Sequence, residues 1–154
     1  MGGFTCSGRY DNVFVTLGNI PNDIAVVADI FVRLGAAAIN VDMISQTVPY
    51  KKRLSISFTV MTEHLAATIR VMGEIKKVIP DVLTEINLEN FKLIIQNDVM
   101  QTMCGVAGRA YKVARDNGFT VKMITTSENE VGMLFDNVQA EEILNAYNKE
   151  FMAG

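Results

Sequence analysis

The chain has 154 residues but no tryptophan, one histidine, two cysteines and three prolines. Each shortage removes a class of reading. Cys6 and Cys104 lack metal-ligand spacing, and with no signal peptide legible they read as structural thiols of a reduced, cytoplasmic protein. The lone His64 follows Glu63 at the opening of a surface helix, where it reads as a solvated side chain rather than a base or ligand. No serine or cysteine has a recognisable base nearby in sequence, and neither a Gly-x-Gly-x-x-Gly nor a Walker-type loop occurs. The sequence therefore offers no catalytic residues, no metal ligands and no cofactor. No apolar run approaches the roughly 20 residues of a membrane span, so no membrane partner is expected. The net charge of −3 argues against nucleic acid; the one basic cluster, Lys51-Lys52-Arg53, falls between two strand-like runs and reads as a solvated hairpin tip.

What the chain does have is the composition of a globular protein, 49% hydrophobic and 20% charged. It also has an internal repeat. Ile39-Asn40-Val41-Asp42-Met43-Ile44-Ser45-Gln46-Thr47 aligns without gaps on Phe119-Thr120-Val121-Lys122-Met123-Ile124-Thr125-Thr126-Ser127, and the same shift pairs Val26 with Val106 and Phe31 with Tyr111. Two copies point to paired small domains. A domain that small buries only about 60% of its unfolded surface and benefits from a partner surface.

The elements follow from periodicity. Val13, Val15 and Leu17 alternate as a strand, and Asn19-Ile20-Pro21-Asn22 carries turn and cap chemistry. A helix bearing Ile24, Val27, Phe31 and Leu34 then stops at Gly35. A strand runs from Ile39 to about Val48, and another from Arg53 to Met61 puts Leu54, Ile56, Phe58 and Val60 on a covered face and Ser55, Ser57 and Thr59 on a polar one. Leu65, Ile69, Met72 and Ile79 mark a helix ended by Pro80, and Val82 to Leu88 is a fourth strand. The first repeat is thus βαββαβ. The second gives strands Phe91 to Gln96, Phe119 to Ser127 and Val131 to Asp136, a helix Thr102 to Asn117, and a last helix with Ile143, Leu144, Tyr147 and Phe151. Its final strand is missing, and Gly3 to Gly8 is the one strand-like segment left to supply it. The expected fold is α+β: two ferredoxin-like βαββαβ modules, antiparallel four-stranded sheets with helices on one face, residues 12–88 inserted in a second module of 3–11 plus 89–153.

For chemistry, binding is better supported than catalysis. A free amino acid needs donors for its carboxylate and an acceptor for its ammonium. The turn from Leu17 into the helix at Asn22 would aim free backbone N–H groups outward at a positive dipole end. Asn40, Asp42, Ile44 and Gln46 share a face by alternation, so Asp42 could take the ammonium and Gln46 a neutral bond; the bland alternative is that these residues merely face solvent. Lys122 stands where the first copy has Asp42, so the copies are not equivalent; Thr125, Thr126 and Ser127 supply hydroxyls beside Cys104-Gly105, and Gly105 admits close approach where the first copy has Ala25.

At these residues the chain resembles the paired ACT domains that form the regulatory part of aspartate kinases. The strongest pieces are Ile39 to Ile44 with Gln46, Ser55-Ile56-Ser57-Phe58-Thr59-Val60, and Met123-Ile124-Thr125-Thr126-Ser127-Glu128. The resemblance implies the inserted first domain, allosteric regulation in amino-acid biosynthesis, and a site for lysine or threonine at an interface between ACT domains of two chains. The family's contacts fall on Asn22, Ala25 and Val27, on Asp42 and Gln46, and on Thr120, Val121 and Ser127 from a partner. The chain departs from the family where Asp-x-Pro-Gly is Asn22-Asp23-Ile24-Ala25, where Ser-His-Pro-Gly is Thr102-Met103-Cys104-Gly105, and where Asn and Glu are Thr120 and Lys122. Asp23 stands in for the shifted acid. The kinase's catalytic segments are not recognisable here, so the chain is not expected to be an enzyme by itself. The implied partners are a free amino acid, further copies in a homodimer or larger homo-oligomer, and an aspartate kinase catalytic domain or subunit. Three other readings compete: a ligand-free oligomerisation module, a stand-alone amino-acid sensor, and a small enzyme, which the want of a base, nucleophile or metal cluster disfavours.

Overall fold

The alternation that opens the chain becomes two edge-completed sheets. The computed structural model describes residues 3–152; Ala153, the last residue of the expected outer module, lies outside them. In chain order the elements are β1 (Thr5–Arg9), β2 (Asn12–Pro21), α1 (Ile24–Ala36), β3 (Ile44–Gln46), β4 (Arg53–Met61), α2 (Leu65–Val78), β5 (Leu83–Asn87), β6 (Asn90–Gln96), α3 (Val106–Asn117), β7 (Val121–Thr126), β8 (Glu130–Asp136) and α4 (Ala140–Phe151). Short 3₁₀ turns precede α2 at Thr62–His64, follow β6 at Met100–Thr102 and precede α4 at Asn137–Gln139. The chain divides into two compact units, Asp11–Leu88 and a second that joins the segment before Asp11 to the chain from Glu89 onward.

In the inserted unit the strand order is β3-β4-β2-β5, all antiparallel. Leu17 lies opposite Ile56 and Val15 opposite Phe58, so both strands turn their apolar sets to one side. Val27, Ile30 and Leu34 of α1 and Val71, Met72 and Ile75 of α2 complete that core. Burial of such side chains stabilises by roughly 1.5–3 kcal/mol each, which is what holds two amphipathic helices on a small sheet. The other side of β4 is less open than its serines and threonine suggest. Thr59 is fully buried, because the segment before β3 runs along it: Met43 N–H donates to Thr59 Oγ1 at 3.0 Å and Thr59 N–H to the Met43 carbonyl at 3.0 Å.

The helix α1 passes through Gly35 and ends at Ala36. The stop is supplied by Ala38, which takes the left-handed conformation at φ 59°; Ala38 N–H bonds the Gly35 carbonyl and Ile39 N–H the Leu34 carbonyl. This Schellman closure favours glycine, and sequence position alone pointed to Gly35 because alanine is a poor occupant of that conformation. Ala38→Gly is expected to raise stability by about 0.5–1 kcal/mol, read as a higher Tm in thermal denaturation; a lower Tm would show the left-handed strain to be absent.

The outer unit has the order β1-β6-β8-β7, again antiparallel. The amino-terminal strand does complete it, with Cys6 opposite Ile95 and Gly8 opposite Leu93. Phe91, Leu93, Val131, Met133 and Phe135 meet Val113 of α3 and Ile143, Tyr147 and Phe151 of α4 in its core. Two segments are shorter than their hydrophobicity indicated. The helix expected from Thr102 starts at Val106, after Gly105 at φ 82°, because a left-handed glycine interrupts the helical run. Likewise the strand expected over 39–48 is hydrogen-bonded only over Ile44–Gln46; Ile39 and Met43 are buried without being paired as strand.

Candidate functional site

The first turn of α1 is built by Asp23. Pro21 closes β2, and the aspartate two residues on has extended backbone, φ −139° and ψ 117°, the conformation of a helix N-cap. Its carboxylate accepts from Ala25 N–H at 2.9 Å, and its carbonyl accepts from Val26 and Val27 N–H at 3.0 and 3.1 Å. Asn22 N–H donates to the Lys52 carbonyl at 3.0 Å and Asp23 N–H to the Pro21 carbonyl at 2.8 Å. The expected open cluster of donors is therefore largely satisfied by the chain itself. A short acidic side chain just ahead of a helix reaches those N–H groups more readily than any ligand, since it is already tethered there. Asn22, Asp23 and Ala25 are exposed, whereas Val27 is buried in the core beneath the turn.

Asp42 and Gln46 lie on the β3 side of the same module. Asp42 is exposed, and its N–H is tied to the Thr59 carbonyl at 2.9 Å. Gln46 lies opposite Ile56 and Ile44 opposite Phe58, which turns Gln46 to the helix-bearing side of the sheet, where α1 also packs. Asn40 falls outside the strand, so the alternation expected from it onward does not run unbroken.

Thr120, Val121 and Ser127 belong to the outer module. Thr120 is exposed just before β7, and Val121 is half-buried against that module's core. Ser127 is exposed; its N–H donates to the Glu130 carbonyl at 2.8 Å and its hydroxyl lies 3.3 Å from Asn129 Oδ1. Lys122, at the position matching Asp42, sits on a bulge between Val121 and Met123 and donates through Nζ to Asn90 Oδ1 at 2.9 Å and to the Glu89 carbonyl at 3.0 Å. That role was invisible in the sequence, because its partners lie 32 and 33 residues away along the chain. The Asp23 cap, by contrast, could have been found: an aspartate directly before a helical run is itself a helix-start signal. The start of α3 differs from that of α1, since Gly105 provides no side-chain cap.

A groove of about 460 Å³ in the inserted module lies between α1 and α2 and is lined by Arg33, Arg70 and Glu74 together with Ala36, Ala37 and Ala67. Arg33 is bridged there to Asp29 at 2.8 Å and Glu74 at 3.8 Å. None of the candidate effector residues lines it. Among the described residues no group of three or more His, Cys, Asp or Glu side chains could hold a metal ion, and no helix is long and apolar enough to cross a membrane.

No model of a known protein family matches the chain. Curated sequences do. An aspartokinase of Geobacillus stearothermophilus is 34% identical over 122 residues, which is 79% of this chain and 29% of that protein. The chain spans about a third of the length of the curated relatives it matches. In fold it is similar to the ligand-free regulatory subunit of aspartate kinase from Thermus thermophilus, with a TM-score of 0.86 at 23% identity over 95% of this chain and 96% of that one. It is also similar to E. coli aspartokinase III in complex with lysine and aspartate, with a TM-score of 0.72 at 18% identity over 95% of this chain and 32% of that one. The chain is a pair of ACT-like ferredoxin-fold modules, one inserted in the other, that resembles in sequence and in fold the regulatory domain of aspartate kinases.

Proposed function

We propose that the chain senses an aspartate-family amino acid, lysine or threonine, at an interface between ACT domains and so regulates an aspartate kinase whose catalytic part is a separate domain or subunit. The observation that carries this reading is the similarity to a regulatory subunit along nearly the whole of both chains, together with aspartokinase sequence likeness over 79% of this one. Lysine in a structural neighbour supports that choice of ligand. Asp42 receives the ammonium and Gln46 a neutral bond. Asn22, Asp23, Ala25 and Val27 form the turn beside the carboxylate, and Thr120, Val121 and Ser127 supply the second wall. A ligand that joins two modules favours the arrangement in which both contacts exist, and that preference is the regulatory signal.

One observation favours the ligand-free oligomerisation module instead: the Asp23 carboxylate already holds the Ala25 N–H that a bound carboxylate would use. A thermal-shift titration of the purified chain with lysine and threonine separates the two readings. Ligand at about 100 times its dissociation constant adds about 2.7 kcal/mol to stability, and Asp42→Ala is expected to abolish that gain. Asp23→Ala is expected to lose about 1 kcal/mol of stability through the cap while tightening amino-acid binding. No shift with any amino acid at millimolar concentration would transfer the assignment to the oligomerisation module.

A further inference from the structure

The basic run Lys51-Lys52-Arg53, a solvated tip on its sequence alone, is left unused by amino-acid sensing. It forms the turn of the β3–β4 hairpin, closed by Tyr50 N–H on the Arg53 carbonyl at 2.7 Å and Arg53 N–H on the Tyr50 carbonyl at 3.0 Å. Lys51 and Lys52 both take positive φ, 50° and 64°. Left-handed backbone costs an L-residue about 1–2 kcal/mol, and a two-residue turn of this form favours Asn-Gly. Two lysines therefore hold positions that stability alone would assign to other residues, and strain of that kind collects at ligand sites. The tip is also anchored: Asn22 N–H donates to the Lys52 carbonyl at 3.0 Å, so the cations are held against the module rather than on a loose loop. None of the three is ion-paired to a carboxylate among the described residues.

Beside these cations is a groove of about 290 Å³ bordered by Thr47, Val48, Tyr50, Arg53, Ser55 and Leu83. Val48 is 86%, Tyr50 73% and Leu83 67% exposed, so its aromatic and aliphatic border is bare. Lys51 Nζ lies 5.4 Å from the centre of the Tyr50 ring, which puts a cation beside that ring. Thr47 Oγ1 is committed to the hairpin, accepting from Ser55 N–H at 2.9 Å. The Ser55 hydroxyl and the Arg53 guanidinium are not engaged among the described residues, so both keep their hydrogen-bonding capacity for a ligand.

We infer that the hairpin tip is a second small-molecule site, which takes a nucleoside phosphate: the base lies against Tyr50, Val48 and Leu83, and Lys51, Lys52 and Arg53 hold the phosphates. Guanidinium and ammonium groups bind phosphate through charge-assisted hydrogen bonds, and an aromatic side chain stacks on a base whatever its identity. A volume of about 290 Å³ is at the small end for a ligand site, enough for one ring system, which leaves the phosphates outside on the exposed cations. A nucleic-acid strand is the poorer fit. It calls for an aromatic under each of several successive bases, whereas one ring borders this groove, on a chain whose net charge of −3 repels a long polyanion. Because the site is open to water, its hold on the phosphates weakens with salt.

Amide chemical-shift titration of the full chain, with no amino acid present, tests the site separately from sensing, with ADP, adenosine and pyrophosphate as probes. ADP is expected to move the signals of residues 50–55 and Leu83. It is expected to bind about tenfold more tightly than adenosine, which lacks the phosphates, and about tenfold more tightly than pyrophosphate, which lacks the ring. Tyr50→Leu is expected to bring ADP down to the affinity of pyrophosphate and to leave pyrophosphate unchanged. Lys51→Asn with Lys52→Gly relieves the turn and is expected to raise Tm while weakening ADP about tenfold, which excludes misfolding as the cause. Three results each overturn the inference: ADP no tighter than pyrophosphate, which makes the tip a counter-ion site only; shifts confined to other residues, or none at millimolar ADP; and a short single-stranded RNA that binds the tip more than about tenfold tighter than ADP, which assigns it to nucleic acid.

Discussion

Gly8→Ala is expected to cost the outer module about 2–3 kcal/mol, a large fraction of the roughly 5–15 kcal/mol that holds a small domain folded. Gly8 sits on the edge strand β1 opposite Leu93, and the ring of the neighbouring Phe91 lies across it. A methyl group on Gly8 would fall on Cζ and Cε1 of that ring. Phe91 is only 1% exposed, with Tyr10 packed 5.1 Å from its centroid, so it has little room to turn aside. The glycine is thus needed for space, and the aromatic ring covers the backbone it leaves bare. Chemical denaturation of Gly8→Ala checks the size of the loss. Phe91→Leu added to Gly8→Ala should recover part of it, because the two sites share one volume and their effects cannot be additive. An unchanged midpoint for Gly8→Ala would show that β1 is not seated under Phe91.

Tyr147→Ala is expected to cost about 3–5 kcal/mol, the range for removing a large core aromatic, and Tyr147→Phe about 1 kcal/mol. The side chain is fully buried, its ring lies 5.9 Å from that of Phe135 and 6.3 Å from that of Phe151, and its hydroxyl donates to the Ala110 carbonyl at 2.8 Å. It therefore joins α3 to α4 through one hydrogen bond and joins α4 to the sheet through apolar contact. The Cys6 thiol lies 3.8 Å from the Tyr147 carbonyl. Burial pushes the Cys6 thiol up to about 11, and burial, followed by the proximity of Cys6 and Tyr111, raises the Tyr147 phenol. Both groups hold their protons more tightly folded than unfolded. Their contribution is therefore complete below about pH 9, where the unfolded thiol is still protonated, and is lost as pH rises toward 11 and beyond. Tm should fall through that window, and Cys6→Ala should flatten the fall between about pH 9 and 11. A Tm independent of pH there would place Cys6 in water.

The βαββαβ order was legible because each strand and helix carries its own periodicity, as in Leu54, Ile56, Phe58 and Val60. The need for the amino-terminal strand came from the missing element in the second repeat, which is an argument about edges rather than about local pattern. What escaped was local backbone conformation decided by packing. Gly35 looked like the end of α1, yet Ala38 takes the left-handed position, because Leu34 and Ile39 must both be buried and the turn has to fall between them. Thr59 looked solvent-facing, yet it is buried beneath a segment whose backbone it bonds.

The candidate site divides the same way. Asp42 and Gln46 were chosen as candidates by repeat position and chemistry, since charge and alternation are properties of the sequence, although the paired strand covers only Ile44–Gln46. Whether the donors of the α1 turn are open is only partly such a property. Asp23 occupies Ala25 N–H from two residues away, a cap the sequence carries, whereas Asn22 N–H is taken by the Lys52 carbonyl only when the β3–β4 hairpin lies beside the start of the helix. Sequence by itself determined the duplication, the two-layer architecture and the absence of recognisable catalytic motifs, because these follow from composition and from periods of two and 3.6 residues. Tertiary structure alone decided which polar groups are already satisfied and which glycine is covered by a ring, because hydrogen bonds and van der Waals contacts depend on distances between residues far apart in the chain.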